Sequence, residues 1–73
     1  MGKLPVAEFL TDKEYQLLLK VHKNHTQAMG KETRKDYTLA DIVEVKRNYE
    51  ENCLDVKFKI GDYWHYYGNG TWG

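Results

Sequence analysis

Apolar positions in the first half of the chain recur with a helical period. At about 100° per residue, Leu17, Ala28, Val21, His25, Leu18, Met29, His22, Tyr15 and Leu19 fall in one broad arc. Gln16, Lys20, Lys23, Asn24, Gln27 and Lys13 fill the opposite arc, so one face of this helix belongs on a core. Its start is marked by Thr11-Asp12-Lys13-Glu14, a capping box in which Thr11 and Glu14 satisfy each other's backbone amides. Leu10 and Tyr15 hold the two positions of a hydrophobic staple. Gly30 stands where a left-handed C-terminal cap belongs, which predicts a helix over residues 12–29.

After a polar connection over residues 31–38, the period changes from helical to alternating. Val43 and Val45 share one face of the next segment. Leu54, Val56, Phe58 and Ile60 then alternate with Asp55, Lys57 and Lys59, a pattern of half-buried strands. Residues 48–52 read as the first turn, Gly61 and Asp62 as part of the second, and the aromatic stretch from Tyr63 as the third strand. A competing reading of residues 38–49 takes Thr38 as a helix cap with Asp41 at the third position. The β-branched Val43 and Val45 favour strand. The expected fold is α+β: one amphipathic helix on a three-stranded antiparallel meander over about residues 42–72.

The parity of the second hairpin decides which rings face solvent. A two-residue loop at Gly61-Asp62 turns Tyr63, His65 and Tyr67 inward and leaves Trp64 and Tyr66 beside Lys57 and Lys59. A three-residue loop of Lys59, Ile60 and Gly61, with Gly61 in a left-handed bulge position, shifts every partner by one. Val56 then meets Trp64, Leu54 meets Tyr66, and Tyr63, His65 and Tyr67 face out. The second register is favoured, because burying a Trp and a Tyr stabilises more than burying a His between two tyrosines. In either register one face of the hairpin interleaves Lys57 and Lys59 with rings, and Lys46 can join from the first strand.

Composition narrows the use of such a face. The chain has 73 residues, enough for one domain that buries only roughly 60% of the surface its unfolded form exposes. Eleven basic residues balance eleven acidic ones. Proteins that live on phosphate backbones carry a stronger basic bias, so neutrality lowers a nucleic-acid role. A single cysteine, Cys53, forbids an internal disulfide and fits a reducing cytoplasm. No apolar run reaches the length of a signal peptide core or a membrane span.

The candidate chemistry is sparse. The sequence has no serine, which excludes serine nucleophiles. Cys53 could pair with a His, but Glu50, Glu51 and Asp55 stand near it and work against a thiolate, so it reads as a small buried hydrophobe. His22 and His25, with His65 or Cys53, match no familiar zinc spacing, and His25 reads as a hydrogen-bonded core histidine. Glu50 and Glu51 read as solvated turn residues. No glycine-rich loop leads into a helix, so no phosphate cradle is expected, and Gly68-Asn69-Gly70 reads as a turn.

The stretch Tyr66-Tyr67-Gly68-Asn69-Gly70-Thr71-Trp72 resembles the YGNGV box that opens the pediocin-like bacteriocins. In that family the box is N-terminal, in a cationic exported peptide, and disulfide cysteines follow it. Here it closes a neutral chain, Thr71 replaces the Val and no cysteine follows, so no functional residue is carried over.

The expectation is a cytoplasmic, non-enzymatic interaction module without cofactor or metal, in the manner of a regulator or inhibitor. Its partner-binding residues are Lys57, Lys59, Tyr63, His65, Tyr67 and Lys46, facing a protein. Single-stranded nucleic acid is the alternative, with the rings stacking on bases and Lys31, Arg34 and Lys35 adding phosphate contacts. A homodimer through the same rings is the third reading, and no membrane partner is expected.

Overall fold

The computed structural model describes residues 3–73. Helix α1 spans Asp12–Gln27 and a one-turn helix α2 spans Lys31–Arg34. Three strands follow, β1 (Ile42–Asn48), β2 (Cys53–Phe58) and β3 (Tyr63–Tyr67), in one antiparallel sheet of order β1-β2-β3. This is the α+β arrangement expected from the change of period.

The start of α1 is built as its sequence implies. The Glu14 amide donates to Thr11 Oγ1 at 3.2 Å, and the Thr11 amide donates to Glu14 Oε1 at 2.8 Å. Glu14 is also gripped from the sheet. Arg47 on β1 donates from Nε to Oε2 at 2.8 Å and from Nη2 to Oε1 at 2.6 Å, a two-pronged pair that ties the helix start to the edge strand. The other end of the helix departs from expectation. Regular helix stops at Gln27, and Gly30 is extended (φ −69°, ψ 163°), heading α2 instead of capping α1. The last carbonyls of α1 find other donors. Ala28 and Met29 amides turn back to His25 and Thr26, Thr26 Oγ1 donates to the His22 carbonyl, and Arg34 donates to the Met29 carbonyl at 3.2 Å. With those groups satisfied, no left-handed glycine is required.

The stretch from 31 to 38 is therefore not a plain loop. It holds α2, and Thr38 then caps a 3₁₀ turn, Leu39–Asp41. The Thr38 amide donates to Asp41 Oδ2 at 3.1 Å, so the capping pair is present although its helix is only one tight turn long. Strand takes over at Ile42. A bulge lies between Ile42 and Glu44, with Val43 as the extra residue. It turns Val43 to solvent and breaks the expected sharing of a face by Val43 and Val45: Ile42 and Val45 are buried, Val43 is 46% exposed.

The core lies between α1 and one face of the sheet. Leu18 and Val21 from the helix meet Val45, Leu54, Val56, Phe58 and Tyr66 from the strands. Ala7 and Leu10 join from the N-terminal segment, which packs beside β1 around a 3₁₀ turn at Pro5–Ala7. Tyr37 closes the opposite end, its hydroxyl donating to the Asp62 carboxylate.

The second hairpin takes the three-residue loop. The Phe58 amide donates to the Asp62 carbonyl at 2.9 Å, and Gly61 has φ +103°, where a Cβ would be strained. Val56 pairs with Trp64 and Leu54 with Tyr66. Ile60 consequently leaves the apolar face of β2 and sits in the turn, 53% exposed. The chain after Gly68-Asn69-Gly70 folds back, and Thr71 and Gly73 make three backbone hydrogen bonds with Tyr67 and His65, sealing the outer edge of β3.

Candidate functional site

The register sorts the strands into two faces. The outer face is a grid of three rows: Glu44, Lys57 and Tyr63; Lys46, Asp55 and His65; Asn48, Cys53 and Tyr67. α1 and the N-terminal segment join the core on the other side, and of the nine residues of the grid Cys53 alone is buried.

Five of the residues expected to bind a partner fall on it. Tyr63 is 57% exposed, His65 and Tyr67 are half-buried, Lys57 is half-buried and Lys46 is exposed. Lys59 does not belong to the grid. It lies in the turn after β2, its amide bonded to the Asp41 carbonyl. Lys31, Arg34 and Lys35 lie elsewhere, on or next to α2, where Arg34 lines a cleft with His22, Thr26 and Tyr37 on the helical layer. The structure does not bring them together with the outer rings.

The charges of the face are largely spent on one another. Lys46 Nζ lies 3.2 Å from Glu44, and Lys57 Nζ sits 5.3 Å from the centre of the Tyr63 ring. His65 Nδ1 lies 2.7 Å from Asp55 Oδ1. Lys35 is likewise paired, 3.0 Å from Glu32.

One group on the face was only half legible in advance. Cys53 is buried, and its position between Asp55 and Glu51 agrees with an unreactive thiol. Burial first, and the Asp55 carboxylate second, push it up to about 11. Yet its sulfur faces the outer grid, 3.4 Å from His65 Nδ1 and 3.7 Å from Asp55 Oδ1. Asn48 Nδ2 reaches the Asp55 oxygens at 3.3 and 3.4 Å. The signal was present in the chain: Cys53-x-Asp55 puts two donors on one face, and the favoured register puts His65 opposite Asp55.

This trio is not a nucleophile relay. A relay needs the imidazole between thiol and carboxylate, one nitrogen serving each. Here thiol and carboxylate both approach the same atom, Nδ1, so Asp55 holds the position a thiol proton would enter.

The inner histidines sit in another world. His25 is 2% exposed, with Nδ1 2.9 Å from the Tyr66 hydroxyl and the Trp64, Trp72, Tyr37 and Phe58 rings around it. Burial, with the neighbouring His22 second, lowers its pKa to about 4. His22 Nε2 meets the Tyr37 carbonyl at 2.6 Å. Both occupy the core side of the sheet while Cys53 and His65 occupy the outer side, so the four cannot meet at one ion.

No known protein family matches the chain, and no curated protein or solved structure is similar enough to it to be matched. Among the described residues, no helix is long and apolar enough to cross a membrane.

Proposed function

We propose that the protein is a small non-enzymatic interaction module whose outer sheet face docks a protein partner. The observation that carries this reading is the uncovered grid, with Tyr63, His65 and Tyr67 in one column beside Lys46 and Lys57. Half-exposed rings held by a rigid sheet lose little entropy on binding and supply the anchors of interface hot spots.

Charge favours a protein over a nucleic acid. The grid holds Lys46 and Lys57 against Glu44 and Asp55, and Lys46 is already paired with Glu44. A polyphosphate strand gains its affinity from cations that it can neutralise, and this face offers none in excess. A protein surface of mixed charge, with apolar groups placed for the Tyr63 and Tyr67 rings, is the better fit. The convergence of Cys53 and Asp55 on one nitrogen of His65 supports a role without nucleophilic catalysis.

The test compares the native chain with a Tyr63→Ala/Tyr67→Ala variant as bait, using Ile60→Ala as an exposed apolar control. The reading expects a partner retained by the native chain and the control and lost by the double variant. Amide shifts on adding that purified partner should map to the grid. Equal capture by all three baits removes the face from consideration. A concentration-dependent dimer in sedimentation, lost in the double variant, assigns the face to a second copy of the chain instead.

A further inference from the structure

We propose that Cys53, Asp55 and His65 form a binding site for a zinc-class divalent ion, with one coordination position left open to solvent. The site is read from these side chains alone and stands whether or not the face docks a protein.

The three donors converge. One ligand atom from each residue lies within 4.8 Å of both others. The three come from a single patch, because Asp55 and His65 are cross-strand partners and Cys53 lies two residues from Asp55 on the same face. Two adjacent strands of a paired sheet hold the donors with little freedom to spread.

Their separations approach those around a tetrahedral ion. With metal–sulfur, metal–nitrogen and metal–oxygen bonds of about 2.3, 2.05 and 2.1 Å, a tetrahedral ion sets its ligands about 3.4–3.6 Å apart. The observed sulfur–nitrogen and sulfur–oxygen distances are 3.4 and 3.7 Å. Two of the three edges therefore already fit. The third, Nδ1 to Oδ1 at 2.7 Å, is a hydrogen bond, and opening it by roughly 0.7 Å makes room for the ion. Thiol, imidazole and carboxylate together suit zinc or cobalt better than magnesium or calcium, which prefer oxygen alone.

The ligands are also supported from outside. The Asn48 amide holds the Asp55 carboxylate, the kind of outer contact that orients metal ligands. Asp55 and His65 side chains are 27% and 39% exposed, so an ion can enter and a water can fill the fourth position. Binding is balanced simply. The hydrated ion sheds waters and the Cys53 thiol releases one proton to solvent. The His65 ring exchanges through solvent the Nδ1 proton that bonds Asp55 in the metal-free site for one on Nε2, so that the Nδ1 lone pair meets the ion.

Cobalt(II) titration of the reduced, full-length chain at pH near 8 tests this. The expected result is one ion per chain, tetrahedral d–d absorption and a thiolate-to-cobalt charge-transfer band, all bleached by zinc. Cys53→Ser should lose the charge-transfer band. His65→Ala and Asp55→Asn should each weaken binding at least tenfold, and Asn48→Ala by about tenfold, as loss of an outer contact does. Asn48→Ala leaves all three ligands in place, and its amide spectrum shows whether the fold is kept. The proposal is overturned if no charge-transfer band develops at millimolar cobalt, or if His65→Ala binds as tightly as the native chain, which would mark the thiol as a lone adventitious ligand.

Discussion

The two faces of the β2–β3 hairpin come from the same two short strands and obey different physics. His25, on the helix that covers the inner face, is sealed among Tyr66, Trp64 and Trp72 and held neutral by burial. His65, on the outer face, stands in the open with Asp55 and Cys53 as polar neighbours. On the inner face a polar atom costs stability unless paired, and nearly every one is paired: the Trp64 indole nitrogen alone, among the described residues, is buried without a partner. On the outer face polar atoms cluster without that compulsion. Trp64 and Tyr66 pack into the core on one side, while Tyr63 and Tyr67 stay partly exposed on the other.

The sharpest break of this contrast is a truncation on each side. Phe58 is fully buried against Tyr37 and the two helix histidines. Phe58→Ala should cost about 3–5 kcal/mol, enough to unfold much of so small a domain. Tyr63→Ala, at an exposed position, should stay within about 0.5 kcal/mol. Urea unfolding of both variants checks the pair, and equal losses would mean that the outer rings are also core.

Acid provides the next break. His25 has its folded pKa depressed from 6.5 to about 4, so the unfolded chain takes up a proton first as pH falls. Its contribution is present in full above the unfolded value and is lost between about pH 6.5 and 4. By pH 5 that loss should be about 2 kcal/mol. The pH slope of urea stability over this window should flatten in His25→Gln, whereas His65→Gln should leave that component in place.

A smaller effect is expected from the hydrogen bond inside the aromatic cluster. Tyr66→Phe removes the hydroxyl that meets His25 Nδ1 and leaves a buried ring nitrogen unpaired. The cost should be about 1–3 kcal/mol. Urea unfolding of Tyr66→Phe against the native chain at pH 7 checks it.

The smallest effect concerns the seam between the helix start and β1. Arg47 holds Glu14 by hydrogen bonding and, with the Thr11 amide second, keeps its carboxyl at about 2 instead of 4.5. The pair stabilises the fold above pH 4.5 and loses that contribution as pH falls through 2. Glu14→Gln should lower the melting temperature slightly at pH 7 and by clearly less at pH 2, where the carboxyl is about half protonated. High salt should narrow the difference, since the pair is partly exposed.

Local rules made much of the fold legible. The capping box at Thr11, the periodic arc of α1 and the alternation of Leu54, Val56 and Phe58 depend on near neighbours, and each is realised apart from Ala28, which lies exposed past the end of α1. The favoured hairpin register was legible too, because apolar burial penalises the alternative at every position of β3. What local pattern did not show were features decided by distant partners. Gly30 lost its capping role because the Ala28 and Met29 amides already close the last turn of α1 and the chain runs on into α2. The Thr38 cap led only into a 3₁₀ turn, because the chain had to reach Phe58 and enter the sheet at Ile42. The spread of Lys31, Arg34 and Lys35 away from the outer rings followed from where α2 packs, which charge along the sequence does not encode.

By itself, then, the sequence determined the main helix, the three strands, their order and the alternation of side chains along β2 and β3, since these follow from periods of 3.6 and 2 and from steric limits on neighbouring residues. The tertiary structure alone decided which face stays uncovered, which charges are neutralised, and that the Cys53 sulfur and the Asp55 oxygen converge on one nitrogen of His65. Such distances of a few ångströms between strands are set by pairing geometry and packing against α1, and no one-dimensional spacing carries them.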